Sequence, residues 1–251
     1  MKKSMFSVAV ALCLSTLSAV AQPPLENYFA PASKEAAAPD AEGFIRRWTL
    51  LEPISKPNRT NAVFTDSYLR KNFAFEYFKD QFTILPKDGQ KVKAKVQVEV
   101  RDKKPNPARP MGGWRMEPPK LKDAVQTLTW HKYDSKLYNT KLFRFASGLK
   151  KPVYGVIFWA VTEIECDKEL KDVRLAVGSN SASMWWLNGE EALLLSGDRR
   201  MVADDCTSTR LTLKKGKNVL RGAIINGPGM SDFCVRFLDE NGQPVKGIKI
   251  I

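Results

Sequence analysis

The chain has a single histidine in 251 residues. A Ser-His-Asp esterase needs an imidazole base beside its nucleophile, so His131 would have to serve alone. Alternation with Leu128 and Trp130 predicts that His131 points away from the core, as a surface histidine does. Gly178-Ser179-Asn180-Ser181 is not the G-x-S-x-G of a nucleophile elbow, and no strand, sharp turn and helix surround it. Cysteine is scarce too. Beyond Cys13 there are Cys166, Cys206 and Cys234, with no close Cys or His pair of the kind that holds zinc. No apolar run after the N-terminus reaches the ~20 residues that cross a bilayer as a helix. Acidic residues are in the minority, 27 against 40 Lys and Arg, for a formal charge of +13.

The positive charge is spread over Lys87 to Lys95, Arg101 to Lys104, Lys120 to Lys122, Lys141 to Lys151 and Lys214 to Lys217. Such dispersion favours solubility, with a weak preference for anionic glycans. Nucleic acid is not an expected partner, because the chain carries an export signal and no recognised binding motif. Glu190-Glu191 and Asp204-Asp205 are adjacent pairs, and neighbours in a strand point to opposite faces, unlike the two facing carboxyls of a glycosidase. They are expected to solvate turns or to pair with Arg199 and Arg200. A structural calcium on Asp204 or Asp205 with loop carbonyls is the one cofactor candidate, since hard cations take oxygen ligands.

Lys2 and Lys3, the apolar stretch Met5 to Leu17 and Ala19-Val20-Ala21 read as a secretory signal cleaved before Gln22. Leu12 precedes Cys13 where a lipidation signal has a small residue, so cleavage rather than a lipid anchor is expected. This places the product in the periplasm, outside the cell or on its surface. Residues 22–42 are rich in Pro and Ala without a sustained period and read as a disordered tether. A single domain is expected over 43–251.

Within it, Phe64, Tyr68, Leu69 and Phe73 have helical spacing, which predicts a short helix between Val63 and Phe78 with Thr65 or Asp66 as cap. Asp102 to Lys122 holds five prolines and a Gly-Gly pair and reads as a long surface loop. The C-terminal half alternates with period two. Val173, Leu175 and Val177 form one strand, and small polar residues interrupt at Gly178 to Ser183. Asn188-Gly189 marks a hairpin, because both central positions of a type I′ turn need positive φ. Leu211 to Leu213, Leu220 to Ile225 and Phe233 to Phe237 follow, separated by turns at Lys215 to Lys217 and Asp239 to Gly242. Short strands with frequent turns define an all-β sandwich or jelly roll.

"VRLAVGSNSASMWWLNGEE" (Val173 to Glu191) and "LTLKKGKNVLRGAIINGPGMSDFCVRFLDENGQPV" (Leu211 to Val245) resemble the galactose-binding-like jelly-roll modules of secreted bacterial polysaccharide-degrading enzymes. The likeness is to the accessory region that accompanies acetylxylan and related carbohydrate esterases in gut Bacteroidetes. "FIRRWTLLEPI" (Phe44 to Ile54) and "TLTWHKYD" (Thr127 to Asp134) extend it over residues 44 to 247. The resemblance implies an all-β galactose-binding-like jelly roll and a non-catalytic role beside a carbohydrate-active enzyme. A shared fold does not carry activity with it.

Candidate ligand-binding residues follow from sugar chemistry, which pairs a stacking ring with a few directed polar groups. Trp114, between glycine and Arg115 in the Pro-rich loop, is the first candidate platform. Trp185 and Trp186 are adjacent, so only one faces the core that Leu187 faces. Trp185 shares the face of Leu187, leaving Trp186 as a second candidate ring or a residue covered by the helix or N-terminal segment. Trp48, Trp130 and Trp159 sit in strand patterns and read as core. Loop candidates are Asn180, Arg199, Arg200, Asp205, Asn226 and Asp232, and the sequence leaves open which loops share an end. Extrapolated alternation puts Cys206 and Cys234 on one outward face, so a disulfide between them is a candidate, the alternative being three free thiols.

Three roles remain on these grounds: an exported module that binds polysaccharide or oligosaccharide, a docking module for a secreted esterase or glycosidase, and an acetylxylan-type esterase.

Overall fold

The computed structural model describes residues 24–58, 64–100 and 120–251. Its strands and helices are β1 (Phe29–Pro31), β2 (Arg47–Leu51), β3 (Ile54–Ser55), α1 (Asp66–Ala74), β4 (Lys91–Val100), β5 (Lys120–Ser135), α2 (Leu142–Gly148), β6 (Val156–Cys166), β7 (Leu170–Ser179), β8 (Ala182–Leu187), β9 (Glu190–Leu195), β10 (Cys206–Thr207), β11 (Leu211–Leu213), β12 (Gly216–Asn226), β13 (Phe233–Leu238) and β14 (Ile248–Ile250). Two antiparallel sheets make an all-β sandwich. The larger runs β1-β5-β2-β6-β12-β8-β9, with β3 and β14 also on β6 and β4 on β5. The smaller is built around β7, with β13 along one edge and β10 and β11 sharing the other.

The central strands of the large sheet are apolar on both sides. Along β6, Val156, Phe158, Ala160 and Ile164 join the core between the sheets, while Ile157, Trp159 and Val161 join a second core on the opposite face. β12 divides the same way, with Leu220 and Ile224 against Ala223 and Ile225. Strands buried on both faces read as continuous apolar runs, which explains "VIFWAV" and "GAII". Trp185 packs edge-on to Trp48 and Phe233 between the sheets, and Trp186 lies flat against Trp159 on the far side, 5.7 Å between centroids and 10° between planes. The expected split of the two tryptophans is thus observed.

Helix α1 covers the second core. Its N-cap is Thr65, whose hydroxyl accepts from the Tyr68 amide, and Leu69 and Phe73 turn inward. The chain that follows adds Tyr77, Phe78 and Phe82, and the β4–β5 hairpin adds Ala94, Val96 and Leu128. A second helix, α2, was not expected. Its Leu142, Phe145 and Ala146 have the spacing of an apolar helix face and close one end of the main core.

Two boundaries differ from the sequence reading. Residues 24–42 are not a disordered tether. Phe29 is buried, β1 pairs with β5, Ala37 bridges to Ile250, and the Asp40 carboxylate accepts from the Phe44 amide and pairs with Arg46. Arg47, itself buried, donates twice to Asp134 at 2.8 and 2.9 Å and also to the Glu35 carbonyl and Ser33. That anchoring is invisible in Pro and Ala content. The loop assigned to Asp102 to Lys122 is also too long, because Lys120 to Lys122 already belong to β5, paired with Val98 to Val100.

At the hairpin turn, Asn188 and Gly189 both have positive φ, 54° and 88°, as the type I′ reading requires. Gly222 is needed for another reason: a Cβ there would lie 2.4 Å from the ring of Trp185, its cross-strand partner. Gly222→Ala is expected to lower unfolding stability by about 1–3 kcal/mol in urea titrations, the usual cost of overpacking. An unchanged midpoint would contradict the packing of Trp185 on this strand.

Candidate functional site

The ladder registers decide which loops share an end. β7 ends at Ser179, β8 starts at Ala182, β9 ends at Leu195, β10 starts at Cys206, β12 ends at Asn226 and β13 starts at Phe233, all paired so that these termini lie together. Asn180, Arg199, Arg200, Asp205, Asn226 and Asp232 therefore gather at one end of the sandwich. They do not form one open polar site. Asn226 is fully buried and donates to the carbonyls of Val153 and Gly229. Asp232 is buried, pairs with Lys141 at 3.1 Å, and its carbonyl accepts from the Asn180 amide. Arg199 is tied to Asp205, and Arg200 is exposed. Trp114 and Arg115 lie outside the described residues.

Other expectations are corrected. Trp186 offers no ligand platform, because Phe73 and Phe82 pack edge-on against it and leave it 7% exposed. Cys206 and Cys234 are free thiols. They sit opposite Val177 and Gly178 on the two edges of β7, so two strand spacings, roughly 9–10 Å, separate them, beyond the reach of a disulfide. Cys234 is not outward in effect, because the Val202 carbonyl folds over Gly178 beside it. Burial pushes its thiol up to about 11. Asp204 pairs with Arg236 and Asp205 with Arg199, so both carboxylates of the calcium candidate are already engaged. Glu191 pairs with Arg70 on α1 rather than with Arg199 or Arg200.

His131 does turn from Trp130, but the other face of β5 is packed as well. Its ring stacks on Tyr133 and meets Phe145, with Nε2 3.5 Å from Glu52, which also holds Lys151. It is half-buried rather than a surface histidine, and no hydroxyl or thiol among the described residues hydrogen-bonds to it.

An open concavity with mixed chemistry lies elsewhere, at the seam between α1 and the β4–β5 hairpin. It is a cleft of about 460 Å³ lined by Lys56, Lys71, Asn72, Phe75, Tyr77, Lys95, Val96, Gln97, Asp123, Ala124 and Val125. Phe75 caps the C-terminus of α1 and leaves its ring 49% exposed. Buried Gln81 fixes this segment: its carbonyl oxygen accepts from the Tyr77 amide and its Nε2 donates to the Phe75 carbonyl, both at 2.8 Å. The Tyr77 carbonyl in turn accepts from the Lys95 amide at 2.7 Å, which ties the wall to β4. The Tyr77 ring meets Phe75 edge-on at 4.9 Å, and burial raises its phenol above the ordinary tyrosine range. Lys95 places its ammonium 5.3 Å from the Phe75 ring centre.

Polar groups line the floor in a relay. Lys56 donates to Gln97 Oε1 at 2.9 Å, and Gln97 Nε2 donates to Asp123 at 3.2 Å. Burial lowers the Lys56 ammonium below the usual lysine range, with Asp123 opposing the shift. The sequence reading missed these residues. Alternation in "KVKAKVQVEV" was the available signal, since a strand with lysine on one face and Val or Ala on the other has one wet side.

Comparisons with known proteins assign no family. No protein-family model matches the chain, and no curated protein matches it. Among solved structures, a β-glucosidase from Kluyveromyces marxianus in complex with glucose aligns at 17% identity and TM-score 0.32, over 43% of this chain and 14% of that one. The PA14 domain of the MpAFP antifreeze protein aligns at 8% identity and TM-score 0.33, over 84% of this chain and 89% of that domain. Superpositions this loose carry no functional assignment, and this chain spans a small part of the glucosidase.

Burial raises the Asp232 carboxyl above its ordinary value of 3.8, with Lys141 acting in the opposite direction. The native state thus holds that proton more tightly than the unfolded state, so its contribution to stability falls as pH rises through the raised value. Asp232→Asn removes this loss. Its urea midpoint relative to the parent should climb as pH rises above the ordinary carboxylate range, and a constant difference would contradict the burial of this carboxylate.

Proposed function

We propose that the protein is an exported, non-catalytic carbohydrate-binding module that holds a saccharide in the cleft between α1 and the β4–β5 hairpin. The observation that carries this reading is the half-exposed Phe75 ring beside Asn72, Gln97 and Asp123. An apolar ring face with amide and carboxylate groups around it is what a sugar ring, with one apolar face and a rim of hydroxyls, can use. The cleft residues supply no imidazole, serine or thiol, and no hydroxyl among the described residues hydrogen-bonds to His131, which supports binding rather than ester hydrolysis. The leader-like Met1 to Ala21 supports export to the periplasm, the cell surface or beyond. The resemblance to accessory modules of carbohydrate esterases supports a partner enzyme that acts on the bound polysaccharide. No helix among the described residues is long and apolar enough to cross a membrane. An exposed apolar patch including Trp186 would favour the docking-module reading, and that ring is covered.

Affinity electrophoresis of residues 22–251 through gels containing neutral and acidic plant polysaccharides tests the proposal. At least one polysaccharide should retard the protein, and Phe75→Ala should weaken retention about tenfold or more, the effect of losing a central aromatic anchor. Phe75 lies outside both cores, so the variant should keep its melting temperature. Migration unaffected by every polysaccharide would overturn the reading.

A further inference from the structure

Resting on the cleft as a saccharide site, we infer that its ligand is an acidic polysaccharide whose uronate carboxylates are read by Lys56, Lys71 and Lys95. Among the lining residues these three ammonium groups face one carboxylate, Asp123. Asp123 is already engaged by Gln97, and Lys71 and Lys95 have no ion-pair partner among the described residues. A cleft lined by one sign of charge with apolar walls concentrates its field on the opposite sign. Lys56 is the most telling of the three, because its half-buried ammonium spends hydration that Gln97 only partly replaces. A ligand carboxylate beside it would restore that loss.

The surface leading to the cleft has the same sign. Lys91, Lys93 and Lys95 are exposed on one face of β4 at about 7 Å intervals, the spacing of alternate residues in a strand. Their cross-strand partners on β5 are Thr129, Thr127 and Val125, none of them acidic. Gln97 follows, and Glu99 ends the row. A linear polyanion can lie along this row and place one sugar on Phe75. A monosaccharide would use the cleft alone.

Isothermal titration with oligogalacturonate, and with the same oligosaccharide after reduction of its carboxyls to alcohols, separates charge from ring recognition. Oligogalacturonate should bind at least tenfold more tightly than the reduced form, and a rise in salt should narrow the gap. Lys71→Gln and Lys95→Gln should each weaken oligogalacturonate several-fold and the reduced form much less. Lys71→Gln is the cleaner variant, because Lys95 also packs on Phe75. Equal affinity for the two oligosaccharides would overturn the acidic specificity and leave saccharide binding standing. Binding of neither would remove the uronate reading, and saccharide binding falls with it where no polysaccharide retards the protein in the gels. Binding of inorganic polyphosphate as tight as that of oligogalacturonate, and indifferent to Phe75→Ala, would show a basic surface rather than a uronate site.

Discussion

Strands β6, β12 and β8 carry apolar side chains on both faces, and that double burial governs the rest of the molecule. An antiparallel sandwich ordinarily shows one face of each sheet to water. Here the outward face of the large sheet presents Trp159, Trp186, Ile157 and Ile225 and must be covered. Leaving such side chains exposed would cost about 1.5–3 kcal/mol each. The adjacent Trp185 and Trp186 express the constraint in two residues, one ring locked against Trp48 and Phe233, the next against Trp159.

The cover is built from separate pieces, and the cleft is the seam between them. Helix α1 lays Leu69 and Phe73 on the sheet, the following chain adds Tyr77 and Phe78, and the β4–β5 hairpin folds over from the edge. Where helix and hairpin meet, each presents the edge of its apolar face together with its solvent face. Phe75 and Val125 therefore lie beside Lys71, Lys95 and Gln97. Gln81 and the Tyr77 carbonyl hold the two pieces in register, so the mixed chemistry of the cleft follows from how the second core is closed.

Much of the fold was legible because it rests on local rules. The period-two runs of β7 and β13, the Asn188-Gly189 turn, the Thr65 cap and the buried Trp48, Trp130 and Trp159 all follow from alternation, turn chemistry and helical spacing. What escaped depends on distant partners. Residues 24–42 look like a tether until Arg47 and Asp134 pin them, and Cys206 and Cys234, expected on one outward face, flank β7 on opposite edges with Cys206 turned to the main core opposite Val177. The loop polars did converge at one end, but Asn226 and Asp232 turn inward to satisfy buried backbone and Lys141. The cleft was not legible, because Lys56, Phe75, Lys95 and Asp123 come from four places in the chain. Only the lysine face of β4 announced itself, and dispersed charge along the sequence hid it.

Hydrogen exchange followed by mass spectrometry, with and without saturating oligogalacturonate, locates the ligand without altering any residue. Added protection confined to peptides covering 71–77, 93–98 and 122–126 is the result this account requires. Protection centred on 179–183, 199–205 and 226–232 would place the ligand on the loop end of the sandwich and contradict it.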